Sequence, residues 1–60
     1  MKFKIRDVIC HKDGNEYYKI RGIYGDCYDA MICDKNGNTS EYVVSVDIWK
    51  DDENDFVKVH

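Results

Sequence analysis

Residues 17–33 read YYKIRGIYGDCYDAMIC, and the reading of this stretch decides the fold. Two runs rich in aromatic and β-branched residues, Tyr17–Tyr24 and Cys27–Cys33, flank the turn pair Gly25-Asp26, which is the pattern of two antiparallel strands joined by a tight turn. Side chains alternate between the two faces of a strand, so parity divides the first run into Tyr18, Ile20 and Gly22 against Tyr17, Lys19 and Arg21. The first set is expected to point inward. In the second run Tyr28, Ala30 and Ile32 oppose Cys27, Asp29, Met31 and Cys33, and the charge on Asp29 selects the former for the core.

The same alternation extends outward in both directions. Residues 8–12 form a candidate first strand, preceded by Phe3 and Ile5, which alternate with Lys2, Lys4 and Arg6. Asp13-Gly14-Asn15 is a turn cluster, and Asp34-Lys35-Asn36-Gly37-Asn38 holds an Asn-Gly pair suited to positive φ in a tight hairpin. A fourth strand is expected over 39–46, with Tyr42, Val44 and Val46 inward and Glu41, Val43 and Ser45 outward. After Ile48 and Trp49 comes the charged turn Lys50–Asp55, then a short closing strand over 56–59. Tyr18, Ile20, Tyr28, Ile32, Tyr42 and Val44 should therefore share one core, with Lys19, Arg21, Asp29 and Glu41 exposed.

Composition agrees with an all-β chain. Leu, Pro and Gln are absent and Ala30 is the sole alanine, while Ile, Val, Tyr, Phe and Trp fill twenty of the 60 positions. A chain this short supports one domain, 1–60, with a thin core, and it leaves no room for a deep substrate cavity. Five short strands in one such domain point to a small five-stranded SH3-like barrel, because curling the sheet removes edges that a flat sheet would expose. No apolar run is long enough for a membrane-spanning helix.

The opening Met1-Lys2-Phe3-Lys4-Ile5-Arg6-Asp7-Val8-Ile9, the turn Lys12-Asp13-Gly14 and the run Tyr18-Lys19-Ile20-Arg21-Gly22-Ile23 resemble the start of small SH3-like barrel proteins of bacteria and phages, the YodC-like group. The resemblance covers about the first half of the chain and departs from the group at Arg6, where its members usually carry Gly. It implies a fold and no catalysis.

The residues themselves give little chemistry. Cys27 and Cys33 lie at opposite ends of one candidate strand, roughly 20 Å apart at about 3.3 Å per residue, so they can neither chelate one ion nor bridge. Cys10 and His11 are adjacent and point to opposite faces of a strand; a bridge from Cys10 to Cys27 or Cys33 across strands stays open. Asp34, Asn36 and Asn38 match the first oxygen positions of a calcium loop, but Thr39 and Ser45 stand where its Gly and its bidentate Glu belong. The expectation is no metal, no cofactor and no enzymatic activity, with free thiols in a reducing cytoplasm given the odd cysteine count and the lack of an export signal after Met1.

Two surfaces remain as candidates for binding. The net charge is −3, and the second half of the chain carries the excess of acid. Asp47, Asp51, Asp52, Glu53 and Asp55 surround Trp49, combining an aromatic anchor with a negative rim suited to a basic protein such as a nucleic-acid-processing host factor. The competing reading of Trp49 is a cap on the core. The alternative surface joins Tyr17, Lys19 and Arg21 with Lys2, Lys4 and Arg6, where rings beside cations could stack on and neutralise single-stranded nucleic acid. Overall acidity weighs against the latter. The resulting expectation is a monomeric or weakly self-associating protein-binding module, encoded by a phage or mobile element of AT-rich composition and directed at a host protein.

Overall fold

The structure, a computed structural model, describes residues 1–42 and 44–60. Five strands form one antiparallel sheet: β1 (Val8–His11), β2 (Tyr17–Tyr24), β3 (Cys27–Cys33), β4 (Ser45–Trp49) and β5 (Phe56–Lys58), in the order β4-β3-β2-β1-β5. A 3₁₀ helix over Lys50–Asp55 connects the two outer strands, β4 and β5, which form no ladder with each other among the described residues. The fold is thus all-β.

Directly opposed residues of an antiparallel ladder share a face, so the register reads out the core. Ile9, Tyr18 and Ile32 stand in one row, Ile20, Ala30 and Val46 in the next, and Ile23, Tyr28 and Ile48 in a third. Phe3 and Phe56 close over these rows, completing a core in which Ile9, Ile20, Tyr28 and Ala30 are wholly buried. The Phe56 ring meets His11 and Tyr18 edge-on, with centroids 5.1 and 6.0 Å away.

Alternation breaks once inside β2. The ladder shifts between Ile20 and Gly22, where Arg21 and Gly22 together oppose Asp29, a β-bulge that carries Ile23 onto the core face beside Tyr28. Gly22 is buried, as its parity suggested, but on the other face and under the ring of Tyr24. A Cβ at Gly22 would come within 2.7 Å of Tyr24 Cε2, so that ring occupies the space a side chain would need.

The fourth strand is displaced from its expected place. It runs over Ser45–Trp49 instead of 39–46, and Tyr42 (85% exposed) and Val44 lie outside the core, where Val46 and Ile48 complete the second and third rows. The expected outward position of Val43 lies outside the described residues. The cause is the turn before it. Asp34 accepts the N–H groups of Asn36 and Asn38 on Oδ1, the Gly37 N–H reaches the Asp34 carbonyl, and only Gly37 takes positive φ (85°), so the Asn-Gly pair does not make a two-residue hairpin. Gly37 then packs on Val8, and residues 39–42 and 44 belong to no ladder, the chain touching β3 through the Ile32 N–H to the Val44 carbonyl. Ile32, deprived of its expected partner row, is 37% exposed. Lys19 and Asp29 are half-buried, while Arg21 and Glu41 are exposed as expected.

Residues 2–6 form no strand. Lys4, Ile5, Arg6 and Asp7 make a turn closed by the Asp7 N–H on the Lys4 carbonyl and the Lys4 N–H on Asp7 Oδ2. Arg6 sits at φ 79°, in the left-handed region, and its N–H is bonded to the Ile20 carbonyl. Here the charged side chains of Lys2, Lys4 and Arg6 are all exposed, together with Ile5.

Candidate functional site

The face of the sheet opposite the core carries Val8, Lys19, Met31 and Ser45 in one row, then Asp29 and Asp47 opposite the Arg21-Gly22 bulge, then Tyr24, Cys27 and Trp49. In the last row the central Cys27 is half-buried, while Tyr24 is 70% and Trp49 57% exposed. Adjacent strands lie about 4.8 Å apart, so these aromatic residues stand roughly 10 Å apart across β2, β3 and β4. Trp49 is consequently not a cap on the core, since its position in β4 alternates with the buried Ile48.

The acidic residues divide into separate groups. Asp47 projects from β4 beside Asp29, and Asp51 joins Asp26, Trp49 and Lys50 around a shallow groove of about 140 Å³. Asp52 is exposed on the 3₁₀ helix. Asp55 lies at its far end, where its carbonyl accepts the Lys12 N–H at 2.9 Å. Glu53 points inward: its carboxylate accepts the Tyr28 hydroxyl and the Lys2 N–H. The Tyr28 oxygen in turn accepts the Phe3 N–H at 3.1 Å. The Tyr28 bond holds Glu53 below the usual carboxylate range, and burial followed by the Glu53 bond pushes the Tyr28 hydroxyl up. Trp49, Asp47 and Asp51 are therefore brought together, Glu53 is spent on the core, and Asp55 stands apart.

The basic and aromatic set is divided as well. Tyr17 and Lys19 are half-buried on the outer face, flanked by Cys10, Cys33 and Met31. Arg21 donates from Nε and Nη2 to the Asp29 carboxylate at 3.0 and 3.1 Å and from Nη2 to Ser45 Oγ at 2.8 Å, so its charge is matched inside the sheet. Lys2, Lys4 and Arg6 belong to the turn before β1 and share no strand with Tyr17.

Cys10, Cys27 and Cys33 are half-buried and unbridged. Burial first, then Asp47 and Asp29, push the Cys27 thiol up; burial and then Asp34 do the same to Cys33, so both favour the protonated form over the nucleophilic thiolate. Among the described residues no His, Cys, Asp and Glu cluster is arranged to hold a metal ion, and no helix is long and apolar enough to cross a membrane.

Sequence reasoning missed Tyr24, Asp26 and Cys27 as neighbours of Trp49. The signal for Tyr24 and Cys27 was present in their positions on either side of Gly25-Asp26; what places Trp49 beside them is the register of β4. No family model, curated protein or solved structure matches this chain.

Proposed function

We propose that this chain is a non-enzymatic protein-binding module, a small SH3-like barrel that grips a basic partner through Trp49 and the carboxylates beside it. The barrel reading draws on the strand order, in which the outermost strands are consecutive in sequence and joined by one short 3₁₀ turn, as a single sheet curling on itself requires. The binding reading rests on one observation: Trp49 is 57% exposed in a regular strand, in register with the exposed Tyr24, with Asp26, Asp47 and Asp51 around it. Exposed aromatic residues bordered by an excess of negative charge, here Asp26, Asp47 and Asp51 against Lys50, are the composition of an interface anchor with a steering rim. The partner class that fits is a basic protein surface, such as that of a host nucleic-acid-processing protein, and the setting is a cytoplasmic phage or mobile-element protein. Pairing of Arg21 with Asp29 weakens the alternative nucleic-acid surface.

Affinity capture from bacterial lysate with wild type and Trp49→Ala, followed by affinity measurement on the retained protein, tests the reading. Trp49→Ala should remain folded and weaken binding by about 2 kcal/mol or more, whereas neutralising Asp51 and Asp52 should chiefly slow association and flatten its salt dependence. A folded Trp49→Ala protein that holds the partner normally removes this surface. Retention of the wild type on heparin at moderate salt would favour nucleic acid instead.

A further inference from the structure

Around Trp49 the outer face has a feature that a general aromatic anchor does not need. The ring of Tyr24 lies back along β2 over Gly22, filling the space of the missing Cβ, and still leaves the residue 70% exposed. Gly22 and Arg21 face Asp29, and Asp29 faces Asp47, so the row next to Tyr24 carries two carboxylates and one guanidinium. Arg21 takes Asp29 in a two-point contact, Nε donating to Oδ2 at 3.0 Å and Nη2 to Oδ1 at 3.1 Å. Asp47 has no ion pair or side-chain hydrogen bond among the described residues, and it is exposed.

Resting on the binding reading above, we infer that this face takes an arginine side chain of an extended, basic partner segment: its guanidinium packs on the exposed Tyr24 ring, on the side toward Trp49, and pairs with Asp47. The physical reasons are separable. A ring whose Cε2, Cζ and Oη fill the space beside Gly22 is already restrained before a ligand arrives, and a planar guanidinium stacks on aromatic rings where a compact ammonium meets them as a point charge. A free carboxylate in the adjacent row accepts the fork of N–H donors, as Asp29 already does for Arg21. Asp26 and Asp51 outweigh the cation Lys50 at the groove beside Trp49, and the net negative potential favours a cationic segment over a phosphate chain.

The test uses three heptapeptides of the same length with Arg, Lys or citrulline at alternate positions, titrated into the full chain to millimolar concentration. Amide NMR shifts and the emission of Trp49, the sole tryptophan, report binding. The Arg peptide should shift Tyr24, Cys27, Asp47 and Trp49, and the uncharged citrulline peptide should bind about tenfold more weakly, with Lys between them. Asp47→Asn and Tyr24→Ala should each weaken the Arg peptide by about tenfold. Gly22→Ala should weaken it too, by displacing the Tyr24 ring while leaving Trp49 in place. Amide spectra of each variant establish that the fold is intact. The inference is overturned by an Arg peptide that shifts none of these residues, by equal binding of the Lys or citrulline peptide, or by indifference to Asp47→Asn. Tighter binding of oligothymidylate to the same residues, or concentration-dependent shifts of the protein alone, would assign the face to nucleic acid or to a second copy and overturn it as well. A captured partner that depends on Trp49 but not on Asp47 or Tyr24 would leave the protein-binding reading standing and remove only this one.

Discussion

The hydroxyl of Tyr28, a core residue with no exposed surface, donates to the Glu53 carboxylate on the 3₁₀ helix. A buried phenol needs a partner, and here one carboxylate supplies it while also receiving the N–H of Lys2. Tyr28→Phe leaves the Phe3 N–H without its acceptor and Glu53 with only the Lys2 N–H as donor. It should cost about 1 to 3 kcal/mol in urea denaturation, with the fold retained.

Acid should destabilise the protein through Glu53 and Asp34. Glu53 is held down by the Tyr28 and Lys2 bonds, and Asp34 chiefly by the N–H of Asn38, so both carboxyls titrate lower in the folded chain than in the unfolded one. Their stabilising contribution is complete above the ordinary carboxylate values, about 4, and is lost as the pH falls through the depressed folded values. Tyr28 has the opposite sign: its raised value stabilises the fold below about pH 10, and this is lost as the pH rises further. Thermal melts from pH 7 down to 2.5 should show a smaller acid-induced fall for Asp34→Asn than for wild type.

Arg6 occupies a conformation that costs a residue bearing a Cβ roughly 1 to 2 kcal/mol. Glycine removes that cost but loses more entropy on folding, so Arg6→Gly should raise stability by about 0.5 to 1 kcal/mol. Arg6→Ala keeps the Cβ and should bring no such gain. Chemical denaturation of the pair separates backbone strain from any effect of the arginine charge.

Ile48 and Trp49 are neighbours in sequence with opposite fates. Ile48→Ala should cost about 2 to 5 kcal/mol, a large part of the stability of so small a domain, because it leaves a cavity beside Tyr28. Trp49→Ala should lie within about 0.5 kcal/mol of wild type. Equal losses in thermal unfolding would place Trp49 in the core after all.

Local alternation made β2 and β3 legible, because Ile20, Tyr28 and Ala30 follow parity up to the bulge. It failed at Gly22 and Ile23, where an extra residue inverts the faces; the one local signal of the bulge was the isolated glycine inside the run, which parity alone does not use. Tyr42 and Val44 alternate as a strand should, yet the Asp34 carboxylate captures the N–H groups of Asn36 and Asn38 and sends the chain on a path without a ladder. Trp49 and Asp47 could be recognised as surface candidates from their composition. Tyr24 could not, since its place beside Trp49 depends on pairing between segments far apart in the chain.

The bonds that converge on Tyr28 also order the events of folding. Phe3 and Glu53 each lie 25 residues from Tyr28, and Lys2 meets Glu53 across 51 residues, whereas β2 and β3 are joined by a two-residue turn. Closing a short loop loses less entropy than closing a long one, so the hairpin can assemble while both chain ends are still free. On that ordering the Phe3–Tyr28–Glu53 junction is expected to close last, as a latch, which chevron plots of Tyr28→Phe would report. A junction closed last should, when loosened, speed unfolding more than it slows folding, so that the lifetime of the native state depends on contacts distant from the hairpin that starts the process.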